Sequence, residues 1–150
     1  MDQEILKEKV RNSLREFRHE KPYLYKIGIY EPTISHRIAL YLEKEFRGES
    51  YFVDCEYSKN LGKKKMSDDG VHIRPDIIVH KRDSELDNLI IIELKKGCSK
   101  DSVRAKQDIE KLQKTENLSY ALRVFLGITR NKTDIVWVDS FGTVEEVLED

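Results

Sequence analysis

What this 150-residue chain lacks narrows its reading first. It has only two cysteines, Cys55 and Cys98, which are far apart and have no metal-type spacing. They read as reduced thiols in a cytoplasmic protein, with a single disulfide as the alternative. Neither sign of charge is in excess. Lys and Arg number 27 against 28 Asp and Glu, a net charge of −1. The chain is therefore not an overall polycation, and affinity for nucleic acid would have to come from a local patch. No apolar run approaches the roughly 20 residues that span a bilayer. The opening "MDQEILKEKV" is charged from its second residue, unlike a signal peptide. Internal repeats and low-complexity segments are also missing, so residues 1–150 are expected to form one domain with one core.

The apolar spacing supplies the elements. Leu6, Val10, Leu14 and Phe17 share a face at intervals of four and three, which predicts a helix over 2–20. Pro22 and Gly28 interrupt it with a Tyr-rich connector, "KPYLYKIGIY". A second helix follows, with Pro32 in its first turn, Gly48 at its stop and Ile34, Ile38, Leu42 and Phe46 as its buried stripe. "YFVDCEY" alternates as a strand, "SKNLGKKKMSDDG" reads as a mobile loop, and "VHIRPDIIVHK" and "NLIIIELKK" read as an antiparallel strand pair. A third helix is predicted over 101–116 with Ser99 or Asp101 as N-cap. Two strands around "RNKTD" and a short helix from Thr143 complete the chain. Strands grouped before a crossover helix imply an α/β fold with a mixed sheet between helices.

Two of these strands carry unexpected charges. Strand side chains alternate, so Leu89, Ile91, Glu93 and Lys95 share one side, and Asp76, Ile78 and His80 share a face of the preceding strand. If the strands pair through their short turn, Asp76 and Glu93 lie side by side. Like charges placed there repel, and desolvating either is costly without a partner. A divalent cation removes both problems. Oxygen ligands without a Cys or His cluster select Mg²⁺ or Mn²⁺ over zinc, and Mg²⁺ takes only one or two protein carboxylates. His72 and His80 fall on the Asp76 face, but eight residues of extended strand would hold them roughly 26 Å apart, too far to share an ion.

Pro75-Asp76 followed by Glu93-Leu94-Lys95 resembles the signature of the PD-(D/E)xK nuclease superfamily. The element order from residue 31 to about 139 is similar to that family's restriction-endonuclease-like core (αβββαβ), here with an extra N-terminal helix. The resemblance implies that Asp76 and Glu93 hold the metal with help from the Leu94 carbonyl. It implies that Lys95 contacts the attacking water or the scissile phosphate, and that Glu31 fills the role of a further glutamate on the helix before the sheet. Lys95 is better suited to electrostatic support than to general-base work, because a lysine near pKa 10.4 with carboxylates beside it stays charged.

Basic residues offer contacts for a nucleic-acid backbone. Lys100, Arg104, Gln107, Lys111 and Lys114 follow one stripe of the third helix, and Lys59, Lys63, Lys64 and Lys65 crowd the loop before the strand pair. The expected function is a Mg²⁺- or Mn²⁺-dependent nuclease acting on DNA, as a homodimer where both strands are cut. The alternative is an inactive module of the same fold that binds nucleic acid or a protein partner in a repair or defence assembly.

Overall fold

The stripe of Leu6, Val10, Leu14 and Phe17 becomes the inner face of α1 (Gln3–Glu20), with each residue at most 2% exposed. A computed structural model describes residues 1–20, 30–84, 86–139 and 141–149; the Tyr-rich connector, apart from Tyr30, lies outside the described residues. Helix α2 (Glu31–Glu45) carries Pro32 in its first turn, where the missing N–H is not needed, and buries Ile34, Ile38 and Leu42. Both helices cover one face of the sheet, over Ile77, Val79, Ile90, Ile92, Leu94 and Val124. Among the described residues, no helix is long and apolar enough to cross a membrane.

Six strands make that sheet, in the order β1 (Phe52–Cys55), β4 (Ile77–His80), β5 (Ile90–Lys96), β6 (Leu122–Ile128), β7 (Lys132–Asp139) and β8 (Gly142–Glu149). β5 and β6 are parallel, joined through α3 (Val103–Gln113), while every other neighbouring pair is antiparallel. Helix α3 covers the second face, where Ile78, Ile91, Phe125 and Val136 pack with Ala105 and Leu112. Covering both faces explains why the central strands read as near-continuous apolar runs rather than as alternation.

Several boundaries differ from the sequence expectation. Residues 71–76 do not extend β4; His72 makes an isolated bridge to Met66, and Pro75 has no N–H to give a ladder. The expected mobile loop contains a hairpin of β2 (Lys59–Asn60) and β3 (Lys63–Lys64). Leu61 and Gly62 turn it with φ of 48° and 79°, the positive pair that a type I′ hairpin needs. Ser102 caps α3, its hydroxyl accepting the Ala105 N–H at 3.1 Å, in place of Ser99 or Asp101. The segment from Thr143 forms β8 instead of a helix. Val144 and Leu148 are four apart and fit a helix on paper, but pairing along all of β7 satisfies the backbone of the segment. That pairing also brings Glu146 to Arg11 of α1 and to the Trp137 indole N–H, each at 2.8 Å.

One glycine fixes where the chain leaves β5. Gly127 on β6 pairs with Lys95 on one side and Asp134 on the other. A Cβ there would sit 2.7 Å from the Cys98 carbonyl oxygen, so the loop after β5 crosses directly over the space that glycine leaves. Buried Asp134 pins the same loop by accepting the Lys100 N–H at 3.0 Å. Gly127→Ala is expected to destabilise the fold by about 1–3 kcal/mol, as overpacking against backbone does. Urea denaturation checks this, and an unchanged midpoint would contradict the close crossing.

Candidate metal and phosphate site

The register between β4 and β5 decides whether the two strand carboxylates can meet. Ile77 pairs with Ile92, Ile78 with Ile91 and Val79 with Ile90. Continued by one position, that register sets Asp76 opposite Glu93, both on the α3 face. A slip of one residue would have sent them to opposite faces. One Asp76 oxygen accepts the Leu94 N–H at 2.8 Å, which holds the carboxyl against the β5 backbone. The Asp76 and Glu93 carboxyls face one another closely enough that each perturbs the other's ionisation.

Electrostatics follow from that enclosure. Burial, then the neighbouring Asp76 charge, pushes the Glu93 carboxyl well above the usual carboxylate range. Burial also raises Asp76, against the opposing pull of the Leu94 N–H and Lys95. The pair therefore keeps a proton where isolated carboxylates would have lost it.

Lys95 and Glu31 join from the end of β5. Glu31, at the start of α2, accepts the Lys96 N–H at 2.9 Å and lies 3.8 Å from the Lys95 ammonium. Burial alone would lower the Lys95 pKa, but Asp108 and Glu31 outweigh it and raise the value. Lys95 thus remains a cation.

Asp108 is the residue that sequence reasoning missed. It is 2% exposed on α3, 3.3 Å from Lys95 and 3.1 Å from Lys111. A signal existed, since positions 105, 108 and 112 form the buried stripe of that helix and 108 is the acidic exception. Its carboxylate clamps Lys95 from the helix side while Glu31 does so from the strand end.

The other basic candidates disperse. Lys111 reaches the site, and Asp108 hydrogen-bonding and the Glu93 charge raise its pKa over the opposing effect of burial. Lys100 turns toward β8 and pairs with Glu145 at 2.9 Å. Arg104 is exposed on α3, and Lys63 and Lys64 are exposed on the hairpin. Lys65 is not a surface contact: it is 1% exposed, donates to the Tyr120 hydroxyl at 2.6 Å and is pushed down to about 8 by burial. His80 is taken by Asp54 at 2.8 Å, which also binds Arg82, so it is not aimed at an ion.

Among the described residues, no group of three or more His, Cys, Asp or Glu side chains forms a metal-binding cluster. The donor set is two hard carboxylates, which suits Mg²⁺ or Mn²⁺ with water filling the remaining positions and does not suit zinc. Set against protein-family models, curated proteins and solved structures, the chain matches none.

The Glu93 shift has a signed consequence for stability. Its folded pKa lies above its unfolded value, so the folded state binds more protons between the two, and stability falls as pH rises through that window. Glu93→Gln keeps the size of the side chain without its charge. Thermal unfolding at pH 5 and pH 8 should show a smaller loss of Tm in the variant than in the parent. Equal losses would mean that Glu93 is not the group responsible.

Proposed function

We propose that the protein is a Mg²⁺- or Mn²⁺-dependent nuclease with a restriction-endonuclease-like core, hydrolysing phosphodiester bonds in DNA. The observation that carries this reading is the placement of Asp76, immediately before β4, against Glu93 of β5, beside a lysine held cationic. The order α2, β1, β4, β5, α3, β6 supports it, because it is similar to the αβββαβ core that the Pro75-Asp76 and Glu93-Leu94-Lys95 motif accompanies. The exposed β2–β3 hairpin is an insertion within that order.

Each residue has a role that its surroundings allow. Asp76 and Glu93 would hold the metal, giving up the proton the pair retains as it binds. Bound there, Mg²⁺ would polarise a phosphoryl oxygen and make water more acidic. Lys95 supplies positive charge for the negative charge that builds on phosphorus in the transition state. Asp108 and Glu31 position Lys95 and keep it protonated. Lys111, on the exposed side of α3, can meet an adjoining phosphate.

The same Lys95–Asp108 contact favours a second reading, an inactive module of this fold that binds nucleic acid or a protein partner. A lysine 3.3 Å from a buried carboxylate must loosen from it to serve a phosphate fully. Incubation with plasmid DNA and Mn²⁺ separates the readings. Cleavage is expected from the parent protein, with none from Asp76→Ala and a loss of about 10²–10³-fold in rate for Lys95→Ala. Equal cleavage by parent and Asp76→Ala would overturn the nuclease assignment, and DNA binding without cleavage would favour the module.

A further inference from the structure

A pocket of about 450 Å³ opens directly beside Glu93, between α3 and the segment from Ser67 to Arg74. Its floor is apolar, built from Ile91 on β5, Ile73 on the segment and Leu112 on α3. Gln107 offers its amide in the lining, while the Ser67 and Thr115 hydroxyls there already donate to Asp69 and to the Leu112 carbonyl. The volume lies within the range of preformed small-ligand sites, far too narrow for a duplex to enter.

The lysines around it are already paired. Lys114 lies 3.4 Å from Asp69 and 3.5 Å from Glu110, and Lys111 lies 3.1 Å from Asp108. A run of phosphates entering here would have to displace these carboxylates and face Asp69 and Glu110 in the lining. A flat, uncharged group with apolar faces and hydrogen-bonding edges meets no such opposition. A nucleobase is such a group.

The walls are also fixed in place. Asp68 accepts the Asn117 N–H at 2.8 Å and donates its own N–H to the Lys114 carbonyl at 2.7 Å. The Asn117 side chain donates to the Met66 carbonyl at 3.0 Å. These bonds tie the segment to the end of α3, so the pocket is shaped before anything enters it.

We propose that this pocket receives one unstacked nucleobase, so that the phosphate of the same nucleotide lies at Asp76 and Glu93. Resting on the nuclease reading, this narrows the substrate class to single-stranded DNA, including frayed or flapped ends, over uninterrupted duplex. Bases inside a duplex are paired and stacked and cannot reach such a pocket without being extruded.

Binding and cleavage test this separately. A single-stranded oligonucleotide carrying one 2-aminopurine is titrated with the full chain in Ca²⁺, and its fluorescence reports entry into the pocket. A change of at least twofold is expected, absent when the oligonucleotide is annealed to its complement. It should also be lost in Gln107→Phe, which fills the pocket from an exposed helix position. No change, or the same change in the duplex or in Gln107→Phe, would overturn the proposal. With Mn²⁺, an abasic nucleotide should reduce cleavage at its own phosphate at least tenfold; undiminished cleavage there would also overturn it. Retention of the fluorescence signal in a protein that cuts none of these strands would sustain the base pocket while removing the nuclease reading.

Discussion

The antiparallel pairing of β4 with β5 is the constraint on which the rest depends. Three pairs of Ile and Val residues hold that register, each pair buried between helices on both faces. Because strand side chains alternate, the same apolar pairing that builds the core also aims Asp76 and Glu93 at one another. The burial that stabilises the strands is what makes the two carboxylates costly. The cost is offset by the Leu94 N–H, by nearby Lys95 and by pKa values raised toward the uncharged form. Core and site are thus two consequences of one register.

Around this pair the fold supplies cations in graded degrees of freedom. Lys95 is enclosed between Glu31 and Asp108, while Lys111 touches Asp108 but remains exposed. Asp108 therefore joins the strand site to the helix that forms one wall of the pocket. Gly127 and Asp134 contribute at a distance by fixing the path of the chain between β5 and α3. Without that tight crossing, α3 would have no defined seat over Glu93.

Much of this was legible in the residues. The stripes of α1 and α2, the two apolar strands and the crossover helix all followed from periodicity, because each buries one continuous face. Asp76, Glu93 and Lys95 stood out as charges set against an apolar pattern, whereas Glu31 was reached only through the motif resemblance; the structure sets Asp76 against Glu93 and Glu31 against Lys95. Asp108 escaped because its helix is rich in charge, so one more acidic residue did not stand out until burial singled it out. The β2–β3 hairpin escaped because a positive φ at Leu61 is unusual for a branched apolar residue. β8 escaped because its short pattern fits either period, and only the partner strand decides. The dispersal of Lys65 and Lys100 was illegible for a similar reason. Their fates depend on Tyr120 and Glu145, which the chain brings near only on folding.

The central proposal is that the proton retained by the Asp76–Glu93 pair gives way to a divalent cation. Calorimetric titration of Mn²⁺ into the protein at pH 7, repeated in buffers of different ionisation enthalpy, measures this directly. The account predicts saturable binding with release of about one proton per ion, and loss of both in Glu93→Gln. Binding without proton release, or binding that persists unchanged in Glu93→Gln, would contradict it.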